Sequence, residues 1–214
     1  MGTMTQATRQ LAWAFDLNRC IGCQTCSVAC KVLWTLAEGT DHMWWCTVNT
    51  QPGRGVPRDY EQMGGGYDAA GKVIRGRLPT VEEWGGAWDF NWNDVYAAGK
   101  GQQEFLRPTG SPPAWGMNWD EDQGAGEYPN AYFFYLPRLC NHCTRPSCVE
   151  ACPNGALYKR AEDGIVLCDE ERCRGAQECI RACPYKKIYF NTARQVSQHC
   201  IGCFPRTEKG VAPA

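Results

Sequence analysis

The sequence predicts an α+β fold built from two small cysteine-rich modules, one of which is split by a long insertion. The chain has 15 cysteines in 214 residues, and 13 of them fall into four short groups near its two ends. Residues 41–134 contain one cysteine but seven of the nine tryptophans and 15 of the 23 glycines. We therefore assign residues 1–40 and 191–214 to the two halves of module A, residues 41–134 to a Trp/Gly-rich insertion, and residues 135–190 to module B.

Length and charge exclude several classes of protein. A chain of 214 residues is long enough for one large domain or two small ones with a real core. Its 22 basic and 23 acidic side chains give a net charge of -1, which argues against a nucleic-acid-binding protein. No apolar run approaches the roughly 18 residues that a membrane span requires, so we expect no transmembrane segment. Residues 1–15 also lack the apolar core and the twin arginines of an export signal.

The first cysteine group has the spacing of an iron–sulfur site. It consists of Cys20, Cys23, Cys26 and Cys30. An odd cysteine count without a secretory signal disfavours disulfides, and zinc sites seldom place three cysteines so close together. In ferredoxins, three thiolates on such a loop face one cluster, and the fourth serves a neighbouring cluster. Few helix-breaking residues lie between Cys26 and Ala37, so we expect a helix there.

Two further groups repeat this design in module B. Group two contains Cys140, Cys143, Cys148 and Cys152, and group three contains Cys173, Cys179 and Cys183. When the spacing of group one is laid on group three, Ala176 stands where the second cysteine should be. One ligand is therefore missing by substitution rather than by deletion. Short apolar stretches at 132–136 and 164–167 predict strands.

The separations between groups predict which cysteines share a cluster. Groups two and three are close enough to form one ferredoxin-like two-cluster module, in which the last cysteine of each group serves the other cluster. One [4Fe–4S] cluster then takes Cys140, Cys143, Cys148 and Cys183. A [3Fe–4S] cluster takes the three cysteines that remain, which are Cys152, Cys173 and Cys179. Group four, Cys200 and Cys203, is left to pair with group one. One cluster then takes Cys20, Cys23 and Cys26, and the other takes Cys30, Cys200 and Cys203.

The other candidate residues have two interpretations each. Cys46 and Cys168 are interpreted as small buried apolar residues, with Cys168 as a possible substitute ligand. His142 and His199 adjoin ligand cysteines and are expected to donate hydrogen bonds to cluster sulfur rather than bind iron. Four cations either offset the negative charge of the clusters or are simply solvated; they are Arg145, Arg174, Lys186 and Lys187.

The motifs resemble those of a known family. The segments CNHCTRPSCVEACPNGALYKR, CRGAQECIRACPYKKIYFN and CIGCFPRTEKG closely resemble the beta subunits of the complex iron–sulfur molybdoenzymes, which include nitrate, selenate and chlorate reductases. The resemblance covers residues 11–40 and 130–214. It implies three [4Fe–4S] clusters and one [3Fe–4S] cluster, placed between a molybdenum catalytic alpha subunit and a haem b gamma subunit or membrane anchor.

Two departures from the family pattern refine this expectation. The nitrate reductase beta subunit has Trp at the position of Ala176, so the small residue favours the ethylbenzene dehydrogenase branch. The family also continues beyond Cys203 with two further cysteines, the first of which would fall just past Ala214. We expect these to be the fourth ligands of both clusters of module A, and the chain to be cut short.

The function expected from the motifs is electron transfer without substrate chemistry of its own. The chain would relay single electrons between the molybdenum subunit and a haem, membrane or soluble acceptor. The alternatives are a stand-alone polyferredoxin or the beta subunit of an oxyanion reductase. Since no export signal is evident, location in the periplasm would require co-export with the catalytic subunit; the alternative is the cytoplasmic face of the membrane.

Overall fold

The computed structural model describes residues 7–88, 115–117 and 124–214 and shows a mixture of short helices and strands. The helices are α1 Thr25–Trp34, α2 Val81–Trp84, α3 Ser147–Ala151, α4 Glu178–Ala182 and α5 Phe204–Thr207, with a 3₁₀ turn at Tyr60–Met63. The strands are β1 Thr47–Gln51, β2 Gly85–Trp88, β3 Trp115–Met117, β4 Phe134–Arg138, β5 Leu157–Lys159, β6 Val166–Cys168, β7 Ile188–Asn191 and β8 Val196–His199. The α+β class is thereby confirmed. No helix among these residues is long and apolar enough to cross a membrane.

The described strands pair into four antiparallel ribbons: β1 with β4, β2 with β3, β5 with β6, and β7 with β8. In the first ribbon Thr47 lies opposite Arg138, and Gln51 lies opposite Phe134. Residues 52–133 therefore leave and return at the open end of one ribbon. Parts of the assigned insertion, residues 89–114 and 118–123, lie outside the described residues.

Helix α1 is shorter than the sequence predicts, because it ends at Trp34 rather than at Ala37. Tertiary contacts of Lys31 explain why the helix ends early. The ammonium group of Lys31 donates hydrogen bonds to the carbonyl oxygens of Thr40, Asp41 and Met43 at 2.7, 2.9 and 3.1 Å. These bonds fold the chain back over the last turn of the helix. The buried ammonium group and its three carbonyl acceptors therefore stabilise this chain reversal.

Two predicted strands are present with shifted bounds. The stretch at 132–136 forms a strand from Phe134 to Arg138, and the stretch at 164–167 forms one from Val166 to Cys168. Both strands begin two residues later than predicted because pairing with β1 and β5 sets their bounds. An apolar run predicts that a strand is present, but the bounds and register of the strand depend on the strand with which it pairs.

The cysteine-bearing segments pack around two apolar clusters of buried residues. One cluster combines Cys30, Cys46 and Cys200 with Trp44 and Tyr189. The other combines Cys152 and Cys179 with Val149, Leu157 and Ile180. Helices α3 and α4 pack against each other within the second region. The cysteines of different groups therefore meet inside the fold although they are far apart in sequence.

Candidate iron–sulfur sites

Groups one and three each contain a backbone turn of the same conformation. Gly22 and Gly175, which precede the second position of each group, have φ angles of 69° and 67°. Gln24 and Gln177, which follow it, have φ angles of 59° and 56°. Helices α1 and α4 begin directly after these glutamines. The position between the two left-handed residues is Cys23 in group one and Ala176 in group three. The predicted substitution therefore lies in a backbone turn that occurs in both groups.

The four cysteines predicted for one [4Fe–4S] cluster line a single cavity. They are Cys140, Cys143, Cys148 and Cys183. Cys140 and Cys148 retain intermediate exposure because they line this space. Burial, and then the charges of neighbouring cysteines, raise the pKa of both thiols well above the ordinary value. The thiols therefore need a bound cation to become thiolates.

The three cysteines predicted for the [3Fe–4S] cluster line a second cavity. Cys152, Cys173 and Cys179 line it together with Ala176. Cys168 does not line this cavity; it lines a neighbouring one with Trp45 and Tyr158. Burial raises the pKa of the Cys179 thiol to about 12, and the hydrogen bond between its sulfur and the Ser197 hydroxyl at 3.3 Å acts in the opposite direction.

Module A brings Cys30 together with group four. Burial raises the pKa of the Cys30 thiol to about 12, and the charges of Cys200 and Cys203 raise it further in the same direction. The Cys200 sulfur accepts a hydrogen bond from the Gly202 amide at 3.4 Å. These three cysteines form the set that the sequence predicts.

The remaining cysteines of group one lie on the surface. Cys23 and Cys26 are exposed, and Cys20 is intermediate. A hydrogen bond from Cys46 lowers the pKa of Cys26 to about 6. Cys46 is buried in the apolar cluster, as the sequence predicts, but its contact with Cys26 is not predictable from spacing because 20 residues separate the two.

The two histidines beside ligand cysteines differ in their tautomers. The Nδ1 atom of His142 accepts a hydrogen bond from the Val166 amide at 3.0 Å, so its proton is on Nε2. The Nδ1 atom of His199 lies 2.8 Å from the Cys200 carbonyl oxygen and must carry the proton. Both Nε2 atoms are buried without a partner, and both residues line the cavity of Cys140. Burial lowers the pKa of His142 to about 3 and that of His199 to about 4, so both rings are neutral at pH 7.

The predicted cations divide into buried lysines and exposed arginines. Lys186 and Lys187 are almost inaccessible to solvent. Arg145 makes an exposed ion pair with Glu150 at 3.6 Å, and the Arg174 guanidinium binds the carbonyl oxygen of the adjacent Cys173 at 3.2 Å. Sequence reasoning missed two more buried lysines, which are Lys31 and Lys159. Their only sequence signal is a position shortly after a group of cysteines.

No three His, Cys, Asp or Glu side chains among the described residues surround a point where a single metal ion would fit. The cysteines of module B instead line the two cavities already described. Multi-iron clusters are held by thiolates that lie around such a space.

Comparison with known proteins agrees with this geometry. Residues 131–214 match the family model of the 4Fe-4S dicluster domain. The chain is 51% identical over 207 residues to the selenate reductase subunit beta of Thauera selenatis, covering 96% of this chain and 62% of that protein. It is 52% identical over 206 residues to the dimethylsulfide dehydrogenase subunit beta of Rhodovulum sulfidophilum, with the same coverage of both. It is 38% identical over 249 residues to the respiratory nitrate reductase 1 beta chain of Escherichia coli, covering 94% of this chain and 49% of that protein.

These relatives carry both reductase and dehydrogenase names at nearly equal identity. The chain spans less than two thirds of the length of the curated relatives that it matches. The resemblance predicted from the motifs is confirmed. Over nearly its whole length the chain is similar to the beta subunits of these oxidoreductases.

Proposed function

We propose that the chain is the electron-transfer subunit of a molybdenum oxidoreductase. It relays single electrons between a molybdenum catalytic subunit and a haem, membrane or soluble acceptor, and it has no substrate chemistry of its own. The observation that carries the proposal is the convergence of three cysteine sets, each drawn from two groups, on separate places in the fold. Iron–sulfur clusters, when bound, accept and release one electron at a time.

The residues around the cavity of Cys140 fit an iron–sulfur cluster. The protonated Nε2 of His142 is buried and has no acceptor among the residues that the structure describes. An unpaired buried donor costs about 1–3 kcal/mol, and a cluster sulfur in the cavity would accept its hydrogen bond. Burial also raises the pKa of the Cys140, Cys143 and Cys148 thiols, and a bound cluster would supply the cations that stabilise their thiolates. His199 would not donate in this way, because its proton is on Nδ1.

We assign the clusters as two ferredoxin-like pairs, with three [4Fe–4S] clusters and one [3Fe–4S] cluster. In module B, Cys140, Cys143, Cys148 and Cys183 bind one [4Fe–4S] cluster. In module A, Cys20, Cys23 and Cys26 bind one [4Fe–4S] cluster, and Cys30, Cys200 and Cys203 bind another, each completed by a fourth ligand outside these three cysteines. An experimental structure in which Cys152 and Cys173 bound different clusters would contradict this pairing.

The [3Fe–4S] cluster is assigned to Cys152, Cys173 and Cys179. Ala176 provides no thiolate at the position that Cys23 occupies in the matching turn of group one. Cys168, the one candidate for a substitute ligand, faces the neighbouring cavity beside Trp45. With three thiolates the fourth iron has no protein ligand, which favours the three-iron form.

A dedicated protein partner is supported by the surface beside group one. Val28, Val32 and Leu36 follow one another at intervals of four residues from α1 onward and are exposed, Leu36 by 62%. Ile21, between the first two cysteines, is 75% exposed. Exposed apolar residues that cluster in this way are typical of protein interfaces. They lie beside exposed cysteines, where an electron would enter or leave.

Co-purification tests the proposal against the stand-alone polyferredoxin. Tagged chain is isolated anaerobically from its native host, and molybdenum, iron and acid-labile sulfide are measured in the same complex. We expect all three. A Val32→Glu variant serves as the matched control: it should lose molybdenum and retain iron and sulfide. A wild-type chain that purifies alone with full iron, and reduces several unrelated acceptors, would contradict the proposal.

The substrate and the location depend on the partner. The ethylbenzene dehydrogenase branch stays a prediction from Ala176, and an oxyanion reductase stays the alternative. We propose the periplasm, reached by co-export on the signal of the catalytic subunit. Deleting that signal should leave this chain in the cytoplasm; if the chain still reached the periplasm, co-export would be wrong.

A further inference from the structure

We propose that Lys187 is a charge-compensating residue shared by two clusters, and that its buried ammonium group raises the reduction potentials of both. One cluster is that of Cys140, Cys143, Cys148 and Cys183, and the other is that of Cys30, Cys200 and Cys203. The inference rests on the proposed function, because it requires both clusters to be bound.

The position of Lys187 places it between the two cysteine sets. The residue is 1% exposed and lines the cavity of the first set. Its Nζ atom lies 3.3 Å from the carbonyl oxygen of Trp44, and the hydroxyl of Tyr189 donates a hydrogen bond to the same oxygen. Tyr189, two residues further along the chain, packs in one apolar cluster with Cys30 and Cys200 of the second set.

Its hydrogen bonding distinguishes Lys187 from two other buried lysines, Lys31 and Lys159. Lys159 donates to four oxygen atoms at 2.7–3.1 Å, and Lys31 to three carbonyl oxygens at 2.7–3.1 Å. Lys187 has two longer contacts, to Trp44 at 3.3 Å and to the Thr47 hydroxyl at 3.2 Å. Among the described residues no carboxylate forms an ion pair with it.

A buried charge without a partner is costly, so the negative charge that stabilises Lys187 must come from elsewhere. Burial, and then the nearby Arg138 guanidinium, lower the pKa of Lys187 to about 7, while Cys46, Cys200 and Cys30 act in the opposite direction. The ammonium in turn favours the thiolates of Cys30 and Cys200. Cys30 and Cys200 of the second set are therefore its nearest counter-charges, and Lys187 reaches the first set through the cavity that it lines with those four cysteines.

The sign of the effect follows from electrostatics. A reduced cluster carries one more negative charge than an oxidised one, and a fixed positive charge nearby stabilises the reduced form. Removing the charge of Lys187 should lower two potentials together. Lys186 offers a matched control because it is equally buried but binds the carbonyl oxygens of Ile180 and Arg181 and has Cys183 as its only nearby cysteine.

The test uses the full complex and measures the midpoint potential of each cluster by EPR-monitored redox titration. Lys187→Met and Lys187→Gln should each lower the potentials of two of the four clusters, and Lys186→Met should lower one at most. Thr47→Val, which removes a hydrogen bond but keeps the charge, should leave all four unchanged. The glutamine variant retains a donor for Trp44 and keeps the test valid if the methionine variant does not fold.

The outcomes separate the two proposals. If both Lys187 variants contain full iron and sulfide but all potentials stay as in the wild type, the role of Lys187 is refuted and the proposed function stands. A shift produced equally by Thr47→Val would assign the effect to packing and would also refute it. If the wild-type complex lacks iron and sulfide, the proposed function itself fails.

Discussion

Group one and group three have the same backbone turn but different surroundings. Both place a left-handed glycine and a left-handed glutamine on either side of the second ligand position. Group one has Cys23 there, on an exposed loop, whereas group three has Ala176 beside a cavity that buries Cys179. The same backbone turn therefore presents a thiol in group one and a methyl group in group three, and this difference underlies our proposal that the two groups hold different clusters.

The largest expected effect comes from removing a ligand in module B. Cys148→Ser should abolish the cluster of its cavity and destabilise the domain, because the other three thiols there are left without a cation. Iron analysis should show the loss of one cluster, and the thermal midpoint should fall. Cys46→Ser is the matched control, since Cys46 is buried but assigned to no cluster. Full iron in Cys148→Ser would contradict the assignment.

The second prediction gives group three the ligand spacing of group one. Ala176→Cys restores the missing thiolate between Gly175 and Gln177, and the [3Fe–4S] cluster should become [4Fe–4S]. The EPR signal of the oxidised three-iron cluster should disappear, and the reduction potential should fall. Cys168→Ala should leave that signal unchanged, because Cys168 lines the neighbouring cavity. An oxidised wild-type sample without a [3Fe–4S] signal would overturn the assignment.

The third prediction uses the difference in solvent exposure between the cysteines of group one and those that line the cavity of Cys140. An iron chelator should remove the cluster of Cys20, Cys23 and Cys26 first, because two of these cysteines are exposed. The cluster of Cys140 should be lost more slowly, since it lies in a cavity closed by buried residues such as His142 and Lys187. Cluster-specific EPR signals followed over time check the order. Simultaneous loss would mean that exposure does not control access.

Local patterns predicted the cysteine sets because ligand spacing is itself local and the exchange of the last cysteine is a property of the motif. The sequence thus placed Cys183 with Cys140, and the structure puts both in one cavity. It could not predict that Lys31 ends α1 early, because its acceptors belong to a later loop. The contact of Cys46 with Cys26 depends on tertiary packing in the same way.

The fourth prediction compares the loss of stability when Gly22 or Gly175 is replaced by alanine. A Cβ at Gly22 would lie 2.6 Å from the ring of Tyr135, whereas a Cβ at Gly175 would lie 3.1 Å from the Gln195 carbonyl oxygen. Both substitutions by Ala carry the left-handed backbone cost of about 1–2 kcal/mol. Gly22→Ala should be the more destabilising because the ring must also move. Chemical denaturation measures both; equal losses would show that the ring adapts freely.

The smallest expected effect concerns the contact between the β5–β6 hairpin of module B and helix α5 of module A. Arg160 forms an ion pair with Glu208 at 2.5 Å, and its guanidinium lies 4.7 Å from the centre of the Phe204 ring. Glu208 is half-exposed, and exposed pairs typically contribute about 0.2–1 kcal/mol. Glu208→Gln should therefore lower the free energy of unfolding by less than about 1 kcal/mol, and by less still at high salt. Phe204→Ala should cost more, because it removes the apolar surface against which the hairpin packs. Denaturation at low and high salt checks both variants, and a salt-independent loss in Glu208→Gln would show that the carboxylate acts through packing rather than through charge.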